Sequence, residues 1–313
     1  MDIVSVKNLN KTFKIPSGDV SALKNINLDI PQGEFLALLG PNGAGKSTLI
    51  KILIGVLAYD SGNVQVMGYE PLKDRDKVIG RLGIVFGQRS RMWHDLPVKE
   101  SFELTKRLYL SGYPSTKDKE LVEWEKFLIE SIDIGHLLNR QVKKLSLGEK
   151  MRCELVNTLL YNPDLIFLDE PTIGLDVVSK QRIRDALKIL HEKGKTILLT
   201  SHDTGDIEKL CQRVIVINRG EVVVDLGINE FMKLSDELDI TVKLKSKAVK
   251  DTDKIFGKHE VQVTQVSPYE LRVTGKKEEL NEIMKIIFQK LPVADIDINS
   301  EKVEKILIDI YQK

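Results

Sequence analysis

The 313-residue chain carries 47 basic and 46 acidic residues, so its formal net charge of +1 gives no whole-molecule field that would attract DNA or an anionic bilayer. Its 42% apolar and 30% charged residues are typical of a folded globular protein and exclude a fibrous or disordered one. The length favours two domains. Cys153 and Cys211 lack paired spacing, the start MDIVSVKNLN is unlike a signal peptide, and no apolar run approaches the roughly 20 residues of a membrane span. We therefore expect a cytoplasmic chain.

The N-terminal part alternates between apolar and polar residues. Ile26, Leu28 and Ile30 are separated by polar residues, and VQVMG (64–68) follows a DSG turn signal, so we predict a half-exposed antiparallel sheet here. Continuous apolar runs come next, and these predict strands buried on both faces of a parallel sheet covered by helices. The runs are EFLALL (34–39), LGIVF (82–86), DLIFLD (164–169), KTILLTS (195–201) and RVIVIN (213–218).

Between about 92 and 160 the apolar residues follow helical spacing. Val98, Phe102, Thr105 and Leu108 fall on one predicted helix face, which indicates a helical subdomain inserted into the α/β core. The first domain is predicted to span 1–230.

A different pattern begins after residue 230. Leu238, Ile240, Val242 and Leu244 alternate with polar residues, as in a half-buried strand. The order of predicted elements that follows is β-α-β-β-α-β plus one helix, which predicts a small α+β ferredoxin-like accessory domain over 231–313. Its later segments are AVKDTDKIF (248–256), EVQVTQV (260–266), ELRVT (270–274), a helix with Leu280 to Leu291, ADIDIN (294–299) and a final helix.

The strand EFLALL runs directly into the stretch GPNGAGKST, which matches G-x-x-x-x-G-K-[ST] between a strand and a helix. Glycines let the backbone turn its N–H groups toward an anion, and the helix N-terminus adds roughly half a positive charge. A plain glycine-rich turn has no need of Lys-Ser-Thr at this spacing. We therefore predict a triphosphate site in which Lys46 reaches the β- and γ-phosphates and Ser47 binds Mg²⁺. The nucleotide-binding residues are predicted to be Gly40, Pro41, Asn42, Gly43, Ala44, Gly45, Lys46, Ser47 and Thr48.

Two further strands end in polar residues at the same predicted sheet edge. DLIFLD ends at Asp169 and is followed by Glu170, and their side chains point in different directions, so Asp169 can hold Mg²⁺ while Glu170 acts as general base. Two solvated acids capping the next segment are the alternative. His202 follows the strand KTILLTS as a candidate γ-phosphate sensor, although a strand-end histidine is often structural. Catalysis is thus assigned to Glu170, His202 and Lys46.

Six motifs in this order resemble those of the ATP-binding subunits of ABC transporters, over roughly residues 1–230. The motifs are similar to the family's Walker A (GPNGAGKST), Q-loop (VFGQRS), signature loop (LSLGE, 145–149), Walker B (LIFLDE), D-loop (PTIGLD, 171–176) and switch histidine. The resemblance implies a P-loop NTPase with a RecA-like core, an antiparallel β subdomain and an inserted helical subdomain. It also implies that ATP and Mg²⁺ bind.

The resemblance assigns further residues to the nucleotide site. It implies that Gln88 joins Ser47 and Asp169 around Mg²⁺, that Asp176 of the D-loop contributes, and that Phe13 stacks on adenine. Phe13 could equally be a core residue. The signature loop of the family completes the ATP site of a partner subunit, so its members here, Ser146, Gly148 and Glu149, are expected to meet the partner's nucleotide.

The signature loop departs from the family's usual LSGGQ at two positions. Leu147 replaces a glycine, and a leucine is strained if that position needs a positive φ. Glu149 replaces a glutamine, and its carboxylate repels a triphosphate unless it lies at the N-terminus of the following helix, where negative charge is tolerated. We expect the loop to remain functional.

The resulting hypothesis is an ATP-hydrolysing motor subunit that dimerises around two ATP, as a homodimer or heterodimer, and drives a separate transmembrane permease. The subgroup with separate permeases resembles this chain most, so export from a site on the inner face of the cell membrane is expected, with no nucleic acid partner. RSRMWHDLP (89–97) offers Arg89, Arg91, Met92 and Trp93 as a permease-binding surface, unless Trp93 packs into the helical subdomain.

Two alternatives stay open. A soluble ABC-type ATPase acting on nucleic acid or the ribosome is one, although no coiled coil, zinc module or second ATP module interrupts or follows the motifs. A nucleotide-binding regulator that does not hydrolyse ATP is the other, although such chains typically lose the base that Glu170 supplies here. The accessory domain is a dimerisation device, a ligand sensor or a shield for the ATPase pair.

Overall fold

A computed structural model describes residues 1–16, 18–86, 90–110, 118–234, 237–247, 255–256, 261–299 and 302–312. The chain forms two compact units, Met1–Ile228 and Asn229–Lys313. None of the helices in the described ranges combines the length and apolar character needed to cross a bilayer.

The first unit alternates strands and helices along the chain. Its strands are β1 (Asp2–Ile15), β2 (Gly18–Pro31), β3 (Phe35–Leu39), β4 (Ser61–Val66), β5 (Leu82–Phe86), β6 (Leu165–Asp169), β7 (Thr196–Thr200), β8 (Arg213–Asn218) and β9 (Glu221–Gly227). Its helices are α1 (Lys46–Leu53), α2 (Arg75–Ile79), α3 (Val98–Leu110), α4 (Asp118–Ser131), α5 (Leu147–Leu159), α6 (Val177–Glu192) and α7 (Thr204–Leu210), and a short α8 (Ile228–Phe231) follows β9.

An antiparallel sheet of strand order β2-β1-β4 forms the N-terminal part. Ile26, Leu28 and Ile30 of β2 are buried while the residues between them are exposed. Alternating side chains point to opposite faces of a strand, so one face packs on the core and the other meets solvent. The predicted half-exposed sheet is confirmed.

The central sheet has the strand order β5-β6-β7-β3-β8-β9. The five strands predicted from continuous apolar runs, β3 and β5 to β8, pair in parallel, and their described side chains are almost all buried. The edge strand β9 pairs antiparallel with β8 and was not predicted, because its burial alternates along EVVVDLG. The order places the carboxyl ends of β6, β7 and β3 side by side, which is where open α/β sheets bind ligands.

Three helices, α3, α4 and α5, lie within the predicted insertion of about 92–160. The indole Nε1 of Trp124 on α4 donates to the carbonyl of Leu159 on α5 at 2.7 Å, so this ring packs inside the helical layer. Val98 and Phe102 on α3 are buried as predicted, but Leu108 is 67% exposed and does not share their buried face. The α/β fold with an antiparallel sheet and an inserted helical layer is confirmed.

The second unit contains a four-stranded antiparallel sheet of order β11-β12-β10-β13. Its elements are β10 (Glu237–Leu244), β11 (Gln262–Ser267), β12 (Glu270–Lys276), α9 (Leu280–Lys290), β13 (Val293–Asn299) and α10 (Lys302–Gln312). Ile240 and Val242 of β10 share a buried cluster with Ile283 and Ile287 of α9, so one face of the sheet is covered. The helix predicted over 248–256 lies outside the described residues except for its last two.

Candidate functional site

The phosphate loop follows the buried strand β3 and ends where α1 begins. Gly40 has φ +151° and a β-carbon there would lie 2.1 Å from the carbonyl oxygen of Ile217. Gly45, the N-cap of α1, has φ +114°, and a β-carbon there would lie 2.6 Å from the carbonyl oxygen of Ala22. Both positions therefore require glycine for space and for conformation. The result is a tight loop capped by a helix N-terminus, an arrangement that favours anions.

Lys46 is the first residue of α1 and its ammonium group lies across the loop. Its Nζ donates to the carbonyl oxygens of Gly40 at 2.6 Å and Pro41 at 3.1 Å. Burial lowers the pKa of Lys46, while the nearby charges of Glu170 and Asp169 act to raise it. An ammonium group has three N–H donors, so one remains for a phosphate oxygen. The cation is thus held at the mouth of the loop beside two carboxylates.

Asp169 ends β6 and is tied to the neighbouring strand. Its Oδ1 accepts a hydrogen bond of 2.6 Å from the Thr200 hydroxyl of β7. Its second oxygen makes none of the hydrogen bonds found among the described residues. Ser47, the second residue of α1, is exposed. A hydroxyl and a carboxylate oxygen suit Mg²⁺, which usually takes one or two protein oxygens beside phosphate and water, and no cluster of three or more acidic, histidine or cysteine ligands occurs in the described ranges.

Glu170 adopts an unusual backbone conformation directly after β6. Its φ is +52°, and its amide donates to the carbonyl of Thr200 at 3.0 Å. The carboxylate accepts from the amide of His202 at 3.2 Å, and the imidazole Nε2 lies 3.6 Å from its other oxygen. Burial raises the pKa of Glu170, against the opposing effect of His202. A glutamate in the left-handed backbone region costs conformational free energy. This backbone conformation directs the carboxylate across the sheet edge, which suits a general base.

A buried carboxylate beneath this edge was missed from the sequence. Asp206 on α7 is fully buried and accepts hydrogen bonds from the hydroxyls of Thr172 and Ser201, the latter at 3.2 Å. The guanidinium Nε of Arg184 on α6 donates to it at 2.5 Å, and the same guanidinium also bonds Asp203 at 3.1 Å. A buried carboxylate is retained only where such donors compensate its desolvation.

The Asp206 network joins the two catalytic segments. Thr172 stands two residues after Glu170, and Ser201 stands immediately before His202, so a single carboxylate fixes the distance between these loops. The sequence offered one signal for this role, which is that the acidic residue Asp206 stands next to the apolar Ile207 in a short helical stretch.

Phe13 lies on β1 opposite Val20 of β2 and is 36% exposed. The ammonium group of Lys11 lies 5.4 Å from its ring centroid, and Asp60 holds that ammonium at 2.9 Å. The ring is therefore not a core residue, and part of its face is open for stacking.

The signature loop begins α5. Ser146 is the N-cap: its hydroxyl accepts from the amide of Glu149 at 3.3 Å, while the Glu149 carboxylate accepts from the amide of Ser146 at 2.8 Å. Leu147 is the first helical residue and is not among the residues with positive φ, so the strain considered for it does not arise. No hydrogen bond or ion pair joins this loop to residues 40–48 within the described part of the chain.

Gly148 packs against the segment after the D-loop. A β-carbon at Gly148 would lie 2.4 Å from the hydroxyl oxygen of Ser179 on α6, so only glycine fits this approach. Asp176 is the N-cap of α6 and accepts from the Ser179 hydroxyl at 2.7 Å and from the Ser179 amide at 2.9 Å, and these hydrogen bonds lower the pKa of Asp176. In this chain Asp176 thus has a capping role. Gln88 lies outside the described residues.

A groove of about 120 Å³ opens between the segment 91–93 and the helices α3 and α5. Trp93, 40% exposed, lines it together with Leu108 and the stacked rings of Tyr109 and Tyr161, whose centroids are 4.2 Å apart. Met92 is only 2% exposed, so the hypothesis that it forms part of a surface is wrong; its side chain packs inward, while Trp93 stays accessible.

A second buried carboxylate, missed from the sequence, anchors this groove. Glu154 on α5 accepts from the Ser90 hydroxyl at 2.8 Å and from the backbone amide of Arg91 at 3.1 Å. The Arg91 guanidinium in turn donates to the carbonyl of Ile84 and to the Thr158 hydroxyl. The helix that starts at the signature loop is therefore bonded directly to the wall of the groove. Arg89 lies outside the described residues.

Comparison with known proteins agrees with this geometry. The family model described as ABC transporter matches residues 23–173. The chain is 29% identical over 248 residues to the ABC transporter ATP-binding protein NatA of Bacillus subtilis, covering 79% of this chain and 99% of that protein. It is 32% identical over 221 residues to the linearmycin resistance ATP-binding protein LnrL of the same organism, covering 71% and 68%.

Solved structures give the same result. The dimeric ATP-binding cassette MJ0796, in a post-hydrolysis state bound to ADP and Pi, superposes with a TM-score of 0.60 and 28% identity, covering 72% of this chain and 98% of that one.

Proposed function

The chain belongs to the ABC transporter family of ATP-binding subunits and is an ATPase, and from this premise we propose that it is the motor subunit of an exporter with a separate membrane permease. Two copies, or one copy and a related subunit, hold two ATP between them. The observation that carries the proposal is the convergence of Lys46, Asp169, Glu170 and His202 at the end of the phosphate loop.

The residues divide the chemistry between them. The loop amides and the free N–H of Lys46 bind the triphosphate, and the raised pKa of Glu170 makes its carboxylate a stronger base for the attacking water. His202 donates its amide to Glu170 and leaves its exposed ring to the γ-phosphate. Mg²⁺, held by Ser47 and Asp169 when bound, supplies neutralisation of phosphate charge.

Dimerisation supplies what one copy lacks. No hydrogen bond or ion pair in the described chain joins Ser146 or Gly148 to the phosphate loop, and this supports a role for both residues at an ATP bound to the partner. Exposed apolar side chains flank them, a feature that favours burial against another subunit. These side chains are Leu147, Ile173, Val177 and Val178. The dimeric form of the cassette MJ0796 supports this arrangement.

The groove at Trp93 is the proposed permease contact. The exposed Trp93 ring beside a cavity favours an apolar partner such as a helix, and Glu154 connects that contact to the signature helix. Binding there places the chain at the inner face of the membrane. Export is supported by the similarity to LnrL, whose name assigns it to resistance, a role that outward transport of a toxic compound serves. Residues 231–313 act as an accessory domain.

Affinity purification from native membranes tests the proposal. Tagged Glu170→Gln protein in Mg-ATP is expected to retain a polytopic membrane protein, and Lys46→Ala protein is the control that cannot form the ATP-bound dimer. Recovery of only ribosomal, nucleic-acid-bound or other soluble partners contradicts the transport function and supports the soluble alternative. A variant of Trp93, Trp93→Ala, is expected to lose the membrane partner while retaining ATP binding.

A further inference from the structure

Glu149 places a negative charge in the loop that is proposed to receive the partner's triphosphate. It is the third residue of α5, three positions after the N-cap Ser146. An uncompensated carboxylate close to a γ-phosphate lowers ATP affinity, because like charges repel strongly where water is excluded. A loop that binds ATP therefore needs a positive group that neutralises the Glu149 carboxylate and contacts that hold this carboxylate away from the γ-phosphate.

The geometry around Glu149 provides both. One carboxylate oxygen accepts from the amide of Ser146 at 2.8 Å, and the other accepts from the Nη1 of Arg140 at 2.8 Å. The Nη2 of Arg140 donates to the carbonyl of Lys144 at 2.8 Å, so the guanidinium is anchored to the backbone at its far side. These contacts lower the pKa of Glu149, mainly through the Ser146 amide, and keep the group ionised and paired.

The capping box adds a second restraint on the carboxylate. The Ser146 hydroxyl oxygen accepts from the Glu149 amide at 3.3 Å, and a hydrogen bond from the Ser146 side chain also helps to lower the pKa of Glu149. Ser146 and Arg140 together therefore keep the carboxylate at the N-terminus of its own helix.

We propose that Arg140 is a positioning residue of the composite ATP site, which neutralises Glu149 and holds its carboxylate away from the γ-phosphate of the partner's ATP. The inference rests on the proposed function, since it requires that the loop meets a nucleotide in trans. An ordinary exposed ion pair is the competing explanation, and it contributes little to anything measurable.

The experiment is a double-mutant cycle in full-length Glu170→Gln protein. Arg140→Gln removes the guanidinium charge, and Glu149→Gln removes the carboxylate while keeping an acceptor for the Ser146 amide. The ATP concentration for half-maximal dimerisation is measured by analytical ultracentrifugation for both single variants and the double variant. Lys143→Gln is the matched control, because Lys143 lies in the same segment but pairs with Asp95 at 2.7 Å.

Arg140→Gln is expected to raise the half-maximal ATP concentration roughly ten-fold, the order expected for one uncompensated charge near a triphosphate in a partly aqueous site. Adding Glu149→Gln is expected to restore it to within about two-fold, because the harmful charge is then gone. The shift should shrink at high salt. ADP binding to the monomer, which uses the chain's own phosphate loop, and the unfolding temperature stay unchanged.

A double variant as weak as Arg140→Gln, or an Arg140→Gln protein that dimerises like the reference, overturns the inference and leaves the proposed function intact. An equal rise of the half-maximal ATP concentration in Lys143→Gln also overturns the inference, because the loss of any positive charge in this segment then has the same effect. Failure of the reference protein itself to dimerise with ATP overturns the proposed function, and the inference with it.

Discussion

Glu170→Gln is expected to abolish turnover while leaving nucleotide binding intact. Glutamine retains an oxygen that can accept from the His202 amide, now at 3.2 Å, so the sheet edge keeps its shape. What is lost is the base. General base catalysis contributes about 10²- to 10⁴-fold, or about 3 to 5 kcal/mol of activation free energy.

The assay is phosphate release at saturating Mg-ATP, together with equilibrium binding of a fluorescent ATP analogue. Glu192→Gln is a matched control, because this exposed acid at the end of α6 lies outside the proposed machinery and should leave the rate unchanged within about two-fold. A Glu170→Gln rate within a few-fold of the unmodified protein refutes the assignment. Loss of ATP binding in this variant refutes the claim that glutamine preserves the edge.

Three further predictions concern the same edge and the hairpin of β1 and β2. Burial raises the pKa of Glu170, and the base acts only when deprotonated, so the ATPase rate should fall as pH falls through a midpoint above 4.5; a midpoint at or below 4.5 contradicts the assignment. Asp206→Ala should lower the free energy of unfolding by about 3 kcal/mol and should also lower kcat. This value is the low end for a broken buried ion pair, because Arg184 keeps Asp203 as its other partner. A loss of less than about 1 kcal/mol in urea denaturation disproves the buried-pair reasoning. Phe13→Ala should weaken ATP binding by about 1 to 3 kcal/mol but leave tripolyphosphate binding unchanged, and equal losses for both ligands exclude stacking on the base.

Secondary structure and the phosphate loop were predictable because their causes are local. The period of apolar residues predicts which strands are buried on both faces, and β3 and β5 to β8 followed it. The edge strand β9 was missed because its half-exposed pattern lacks a continuous apolar run. Leu108 was wrongly predicted to share the buried face of α3 for a related reason. Helical spacing shows which residues share a face, but it does not show whether another element covers that face.

The signature loop shows where local reasoning ends. Its sequence suggested that Glu149 lies at the N-terminus of a helix, and the structure adds a capping box between Ser146 and Glu149. The partner that cancels the Glu149 charge is Arg140, nine positions earlier, and nothing in the spacing indicates that their side chains meet. Such a contact depends on the turn between them and on the packing of that turn.

The sequence by itself determined the family, the class of fold and the residue types that bind a triphosphate, because each depends on short contiguous patterns. The tertiary structure alone decided which distant groups meet. Glu170 and His202 come together because β6 and β7 are neighbours in the sheet. Asp206 on α7 holds the two segments in place, and nothing in the sequences of these strands indicates that contact. Strand order arises from the packing of the whole chain, so it determines contacts, burial and pKa shifts that no local pattern contains.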